Sequence, residues 1–207
     1  MSTIKLYRYP LSGHSHRVEL FLSILGLETE IINVDLANGE HKQDAFLNKN
    51  IFGQVPVLED GPVTIADSNA ILVYLASKYD SKRNWLPLGN EESAEVQRFL
   101  SIAAGEIAHG PASARLVTVF GAKFDQDTLI KHSHTLLATL EAHLTDREWL
   151  AGKTATIADI ADYTYIAHAP EGNVSLNDYP NVRAWLKRVE DLPGFVAMQA
   201  TAVGMAA

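Results

Sequence analysis

The sequence predicts a two-part chain of class α/β plus all-α, in which a small mixed-sheet domain precedes a helical one. Three observations predict it. Residues 1–80 run in the order β-α-β-(α)-β-β-α by hydrophobic periodicity. Composition shifts over residues 81–92 (SKRNWLPLGNEE), which carry Pro, Gly and both charge signs with little period. Beyond that stretch every periodic segment has helical spacing. The expected boundaries are 1–80 for the α/β domain, 81–92 for a linker and 93–207 for the helical domain.

Residues 4–9 alternate as a strand that Pro10 ends. After the turn Leu11-Ser12-Gly13-His14-Ser15, Val18, Phe21, Leu22 and Leu25 share one helical face, with Gly26 as the stop. Residues 30–34 (EIINV) read as a second strand. A polar stretch from Gly39 to Asn50 follows, with a short helix near Asp44. Residues 55–59 (VPVLE) and 63–66 (VTIA) are two apolar runs joined by Asp60-Gly61, which reads as a hairpin. Asp67, Ser68 and Asn69 offer caps for a helix on Ile71, Leu72 and Leu75 that reaches about residue 80. The first βαβ unit implies parallel strands and the hairpin adds antiparallel ones.

In the second half, residues 94–107 form one helix and Gly110-Pro111 marks a break or kink. Leu129, Leu136, Leu137, Leu140 and Leu144 place another helix over 127–144. Thr156 and Asp159 form a capping-box-like start, with Asp in place of the usual Glu, for a helix to about residue 167. Pro180 opens a helix carrying Val182, Trp185, Leu186 and Val189, which Leu192-Pro193-Gly194 ends. A short last helix is expected to reach about residue 202.

Composition narrows the function classes. At 207 residues, 47% hydrophobic and 20% charged, the chain is globular in composition rather than disordered. A formal net charge of −8 without a Lys/Arg cluster argues against nucleic-acid binding. No apolar run approaches the roughly 20 residues of a membrane span. The N-terminus lacks a charged-then-apolar signal pattern, so a cytoplasmic location is expected. With no cysteine, any thiol chemistry must be done on a thiol that a ligand brings.

The stretch FGQVPVLEDGPVTIADSNAILVYL, residues 52–75, has two features of a ligand site. Pro56 begins a strand, and a cis Val55–Pro56 bond is expected there, turning the Val55 backbone toward an extended peptide. The cap at Asp67 and Ser68 leaves backbone N–H groups at a positive helix end, which suits a carboxylate. An ordinary hairpin and a normal helix cap are the alternative reading of the same residues.

Three segments carry a family resemblance. YPLSGHSHRV, residues 9–18, is similar to the catalytic loop of the glutathione S-transferases, where a Ser stands five residues before Arg-Val. Gly39-Glu40-His41-Lys42 followed by Phe52-Gly53-Gln54-Val55-Pro56 resembles the family's glutathione-binding segment. Ala66-Asp67-Ser68-Asn69-Ala70-Ile71 resembles its (Glu/Asp)-Ser-x-Ala-Ile signature. The motifs are closest to the phi class of plants and fit an unclassified bacterial branch equally. Ile51 departs from the family, which usually has Pro before Phe-Gly-Gln.

The resemblance implies a thioredoxin-like N-terminal domain, a helical C-terminal domain, a homodimer and glutathione as co-substrate. It implies that His41 and Lys42 meet the glycine carboxylate and the Val55 backbone pairs with the cysteinyl amide, beside Pro56. Gln54, Asp67 and Ser68 would meet the γ-glutamyl end. Taken alone, His41-Lys42 also reads as a solvated loop pair. Phe52 is a candidate interface anchor or, alternatively, a core residue.

Ser12 is the residue on which the implied chemistry turns. A thiol of pKa about 8.5 needs a shift of about 2 units, worth about 2.7 kcal/mol, to be mostly ionised at neutral pH. A charge-assisted hydrogen bond contributes about 1.5–3 kcal/mol and a helix N-terminus about 0.3–1 kcal/mol. Together they suffice, so Ser12 would donate to a thiolate and not act as an acyl-transfer nucleophile. Ser12 as a plain turn residue is the alternative. Ser15 competes for the role and is expected to be the helix cap.

Metal binding is not expected. His132 and His134 lie about 200° apart on a helix, and His14-x-His16 has no third ligand nearby in sequence. Leu11, His14, Arg115, Val119 and Phe120 are candidates for a pocket holding a hydrophobic electrophile. Tyr163, Tyr165 and His168 are further candidates, or core residues. The activity implied is glutathione transfer. A glutathione-dependent peroxidase or isomerase would use the same thiolate, and a non-catalytic module with this fold is the rival outside enzymology. The polar set Ser12, Gln54, Asp67 and Ser68 favours an enzyme, because a scaffold has no physical reason to keep it.

Overall fold

Alternation over Ile4–Arg8 makes β1, whose Ile4 and Leu6 are buried while Lys5 and Tyr7 are not. In the computed structural model, which describes residues 3–206, α1 (Gly13–Ile24) follows, and β2 (Thr29–Asn33) pairs parallel to β1. A 3₁₀ turn at Glu40–Lys42 and the four-residue α2 (Asp44–Leu47) precede the hairpin of β3 (Val57–Asp60) and β4 (Val63–Ala66). β3 runs antiparallel to β1, so the four-stranded sheet has the order β2-β1-β3-β4. α3 (Ser68–Tyr79) leaves directly from β4. The mixed sheet is as expected, except that the hairpin strand begins at Val57 rather than Val55.

Register decides which residues share a face. Leu6 pairs with Leu58, and both are fully buried, as are Val18, Phe21, Ile71, Leu72 and Leu75 on the mutually packed α1 and α3. On the opposite face Val57 packs with Val34 and with Phe46 of α2, beside Tyr7 and Val55. The hairpin is tied to α3 by Asp60, whose Oδ2 accepts from Tyr74 Oη at 2.9 Å, Tyr79 Oη at 2.6 Å and Lys78 Nζ at 2.6 Å. Gly61, at φ +61°, supplies the left-handed residue of the turn.

The chain divides into two compact units. The first comprises residues 3–82 with Leu192–Gln199, and the second Arg83–Asp191 with residues 200–206. In the second, α4 (Asn90–Ala104) starts four residues before the expected Ala94, with Glu91 and Glu92 favourably placed in its first turn. A π-helical turn, Ala108–Ala112, contains Pro111, and the helix then resumes as α5 (Ser113–Phe120). α6 (Gln126–His143), α7 (Ile157–Ala167) and α8 (Pro180–Glu190) complete the unit. A 3₁₀ turn, Ala169–Gly172, follows α7.

The capping box at Thr156 and Asp159 is formed. Asp159 Oδ2 accepts from Thr156 N at 2.8 Å, and Oδ1 from Leu150 N and Trp185 Nε1, each at 2.9 Å. This one carboxylate therefore joins α7, α8 and the loop before α7, a structural role as expected. The last expected helix is absent. Residues 195–203 are irregular and only Gly204–Ala206 forms a 3₁₀ turn. Within the first unit His16 Nε2 meets Val196 O at 2.9 Å and Met198 is buried, so tertiary contacts override helix propensity there. Among the described residues no helix is long and apolar enough to cross a membrane.

Candidate functional site

Two helix N-termini of the first unit carry the candidate site, and the turn between β1 and α1 comes first. Ser12 N donates to Tyr9 O at 3.0 Å, closing the turn after β1. At φ −89°, ψ 115° Ser12 is the N-cap of α1, and its Oγ accepts from Ser15 N at 3.2 Å. The expected assignment of the cap to Ser15 is therefore reversed. Ser15 is fully buried inside the first turn, where its Oγ accepts from Tyr9 N at 3.3 Å. Ser12 is half-buried and keeps its own O–H available for donation.

The second N-terminus is that of α3. Asp67 caps it, its Oδ1 accepting from Ala70 N at 2.9 Å, while holding φ +74°, ψ 124°. A non-glycine residue in such a conformation costs on the order of 1–3 kcal/mol and is concentrated at functional sites. Ser68 is buried, and its Oγ lies 3.2 Å from both Arg17 Nη1 and His14 Nδ1. The same Arg17 nitrogen donates to Asn69 Oδ1 at 2.8 Å. Burial, and after it the Arg17 charge, push the His14 pKa down to about 3, so its imidazole is neutral at physiological pH.

Between these ends lies the segment 41–56. Lys42 Nζ donates to Phe52 O at 3.3 Å and Gly53 O at 3.1 Å, stapling the 3₁₀ turn to the following loop. Gly53 sits at φ +56°, and a Cβ there would stand 2.5 Å from His41 O. Asn50 shapes the loop from inside, with Nδ2 donating to Gln54 O at 2.9 Å and Oδ1 accepting from Phe52 N at 3.1 Å. The Val55–Pro56 bond is cis, as expected. Pro56 is buried, Val55 and His41 are half-buried, and Lys42 and Gln54 are exposed. Among the described residues the Val55 backbone makes no hydrogen bond.

Sequence reasoning missed Arg17, Asn50 and Asn69. The Arg-Val pair at residues 17–18 was the available signal for the first; the partners of Asn50 are set by its loop, and that of Asn69 by the packing of α1 on α3. His14, expected at an electrophile pocket, instead turns its Nδ1 to Ser68, while Leu11 is half-buried in the same turn. In the second unit Arg115 is a correction. It does not line an open surface but is 2% exposed, with its Nε 2.6 Å from Glu171 Oε2. Val119 is half-buried and Phe120 is 45% exposed on α5. Tyr163 and Tyr165 are core residues, and His168 Nδ1 lies 2.8 Å from Glu171 Oε1. A separate open concavity follows α6 along His134, Thr135, Ala138, Thr139 and Ala142, and includes none of the predicted site residues.

A thioredoxin-like sheet domain followed along the chain by a helical domain defines the class of glutathione-transferase-like proteins. Residues 2–77 match the glutathione S-transferase N-terminal domain and residues 87–193 the C-terminal domain. The chain belongs to the cytosolic glutathione S-transferase family and is an enzyme of that kind. It is 35% identical to glutathione S-transferase 3 of Zea mays, covering 94% of this chain and 92% of that protein. It is 34% identical to glutathione S-transferase F10 of Arabidopsis thaliana, over 87% of this chain and 89% of that one.

Solved structures agree. A possible glutathione S-transferase from Rhodopseudomonas palustris is 34% identical, with a TM-score of 0.87 over 97% of this chain and 100% of that one. A glutathione transferase homologue of Drosophila mojavensis with bound glutathione is 31% identical, with a TM-score of 0.85 over 93% of this chain and 90% of that one.

Proposed function

We propose that the enzyme ionises glutathione with the Ser12 hydroxyl and transfers it to an apolar electrophile. The observation that carries this reading is the hydrogen bond from Ser15 N to Ser12 Oγ at 3.2 Å. It occupies a lone pair of the hydroxyl and leaves the proton to point at a thiolate over the N-terminus of α1. The tripeptide lies along the segment 54–56, its cysteinyl amide on the Val55 backbone. Its γ-glutamyl end meets Gln54, Asp67 and Ser68, where a carboxylate plus a helix N-terminus match an ammonium and a carboxylate. Its glycine carboxylate lies near His41 and Lys42. Lys42 spends two donors on Phe52 O and Gly53 O, which leaves the third for an anion.

In the reaction the thiol proton leaves to solvent and the sulfur lone pair forms a C–S bond to the electrophile. A leaving group departs with its electron pair, or an adjacent carbon takes up a proton. Within the first unit, the partly open apolar side chain of Leu11, in the same turn as Ser12, favours a hydrophobic acceptor. No protein thiol competes for it, because the chain has no cysteine.

Titrating bound glutathione by thiolate absorbance tests this reading. The midpoint should fall about 2 units below the free thiol value of about 8.5; a midpoint at the free value contradicts it. The proposed quaternary form is a homodimer, with Phe52 as anchor. Phe52 is 71% exposed, next to Ile51 at 81%, so the alternative of a core Phe52 fails. Light scattering at micromolar concentration should report a dimer, and Phe52→Glu should shift it to monomer.

A further inference from the structure

We propose that His14 is a positioning residue for the γ-glutamyl carboxylate, acting through Ser68. The proposal rests on the reading of Asp67 and Ser68 as the glutathione hook, and concerns what aims that hook. Ser68 Oγ is held between two groups of α1, Arg17 Nη1 and His14 Nδ1, each at 3.2 Å. Arg17 is an obligatory donor and fills one lone pair of the hydroxyl. His14 decides the rest. If Nδ1 carries the imidazole proton, the second lone pair is filled too, and the Ser68 proton has nowhere to go but outward, toward a bound anion. If Nδ1 is bare, Ser68 donates to it and offers an approaching carboxylate only lone pairs.

An anionic ligand therefore selects the Nδ1–H tautomer, in which two donors from α1 orient one hydroxyl of α3. The same contact links the turn that holds Ser12 to the hook, since His14 lies two residues after Ser12. Low basicity suits the role. With a pKa near 3 the ring exchanges tautomers without gaining a charge.

The experiment has three readouts. His14→Ala should raise the KM for glutathione about 5- to 10-fold, the equivalent of one ordinary hydrogen bond, with the loss falling on KM rather than kcat. His14→Asn, whose side-chain amide can place a donor near the Nδ1 position, should restore most of it and controls for folding. A double-mutant cycle separates this role from a structural one: His14→Ala combined with Ser68→Ala should be no worse than Ser68→Ala alone. Discrimination between glutathione and its analogue lacking the γ-glutamyl α-carboxylate should shrink in His14→Ala. Nitrogen-15 shifts of His14 should report the Nδ1–H tautomer once glutathione is bound. Additive losses in the double variant, or an Nε2–H tautomer in the complex, overturn the proposal. A parent enzyme that binds glutathione while His14→Ala matches it overturns the proposal alone; a parent that does not bind overturns the hook reading with it.

Discussion

The Ser12 hydroxyl accepts the backbone N–H of Ser15 at 3.2 Å, while the Ser15 hydroxyl accepts the backbone N–H of Tyr9 at 3.3 Å. The two serines thus serve opposite sides of one turn. Ser12 stands half-buried at the mouth of α1, and Ser15 is sealed beneath it. Only the first can donate to a ligand without leaving its place, so the two substitutions separate cleanly.

Ser12→Ala removes a helix cap and, on the proposed mechanism, the donor to the thiolate. The cap loss should cost about 1 kcal/mol of stability. Losing a charge-assisted bond of about 1.5–3 kcal/mol should raise the bound thiol pKa by roughly 1–2 units. At pH 7 the rate should fall about 10- to 100-fold, with glutathione affinity little changed. The pH–rate profile should shift alkaline and recover partly near pH 9. A profile that keeps its midpoint while its amplitude falls would mean that the hydroxyl does not control ionisation.

Ser15→Ala should behave as a stability variant. It takes a buried acceptor from the Tyr9 N–H, a loss of about 1–3 kcal/mol, visible in urea denaturation. The bound thiol should titrate as in the parent. If the midpoint moves with Ser15→Ala and not with Ser12→Ala, the serine assignment is wrong.

The sheet and its helices were legible because their signals are local. Period-two apolar runs, Gly61 in the turn and Asp67 before α3 each act within a few residues. The choice between Ser12 and Ser15 was not legible, since both fit a cap before Val18 and only the fold shows that Tyr9 N claims Ser15. Long-range pairs were equally silent. Arg115 reads as a candidate for the electrophile pocket until Glu171, 56 residues on, is seen against it. α5 was hidden by Gly110-Pro111, which breaks the regular ladder; Ser113 Oγ takes the Ala108 carbonyl at 2.7 Å and the helix resumes. The hook was half legible: the Asp67-Ser68 pair stands in the sequence, whereas the hold of Arg17 and His14 on Ser68 needs α1 packed on α3.

Gly53→Ala should damage glutathione binding without removing any side chain of the proposed site. At φ +56° an alanine adds strain of about 1–2 kcal/mol. Its Cβ would also stand 2.5 Å from His41 O and 3.0 Å from Lys42 Nζ. Lys42 can swing away, but a backbone carbonyl cannot without moving the 3₁₀ turn. The expected result is a KM for glutathione raised several-fold together with a lower melting temperature. An unchanged KM would show that the segment 41–42 does not contribute to binding.

Glu171 ties three parts of the second unit together, so its ionisation should be visible in acid stability. Its Oε2 faces Arg115 Nε at 2.6 Å; its Oε1 faces His168 Nδ1 at 2.8 Å and accepts from Thr201 N at 3.0 Å. Burial alone would raise its pKa, but the bonds from Thr201, His168 and Arg115 outweigh burial and hold it down at about 2 against an ordinary value of 4.5. A depressed carboxylate stabilises the fold above its unfolded pKa, and that stabilisation fades as pH falls toward the folded one. The window is therefore pH 4.5 down to about 2, and the contribution lost across it is on the order of 3 kcal/mol. Glu171→Gln removes the carboxylate charge that faces the buried Arg115 and should cost about 3–5 kcal/mol at pH 7. The gap between parent and variant should narrow below pH 4.5, because the unfolded parent then takes up a proton that folded Glu171 resists until about pH 2. Urea denaturation at pH 7, 5 and 3 measures it, and a gap that stays constant across that range would mean that Glu171 is not the group being protonated.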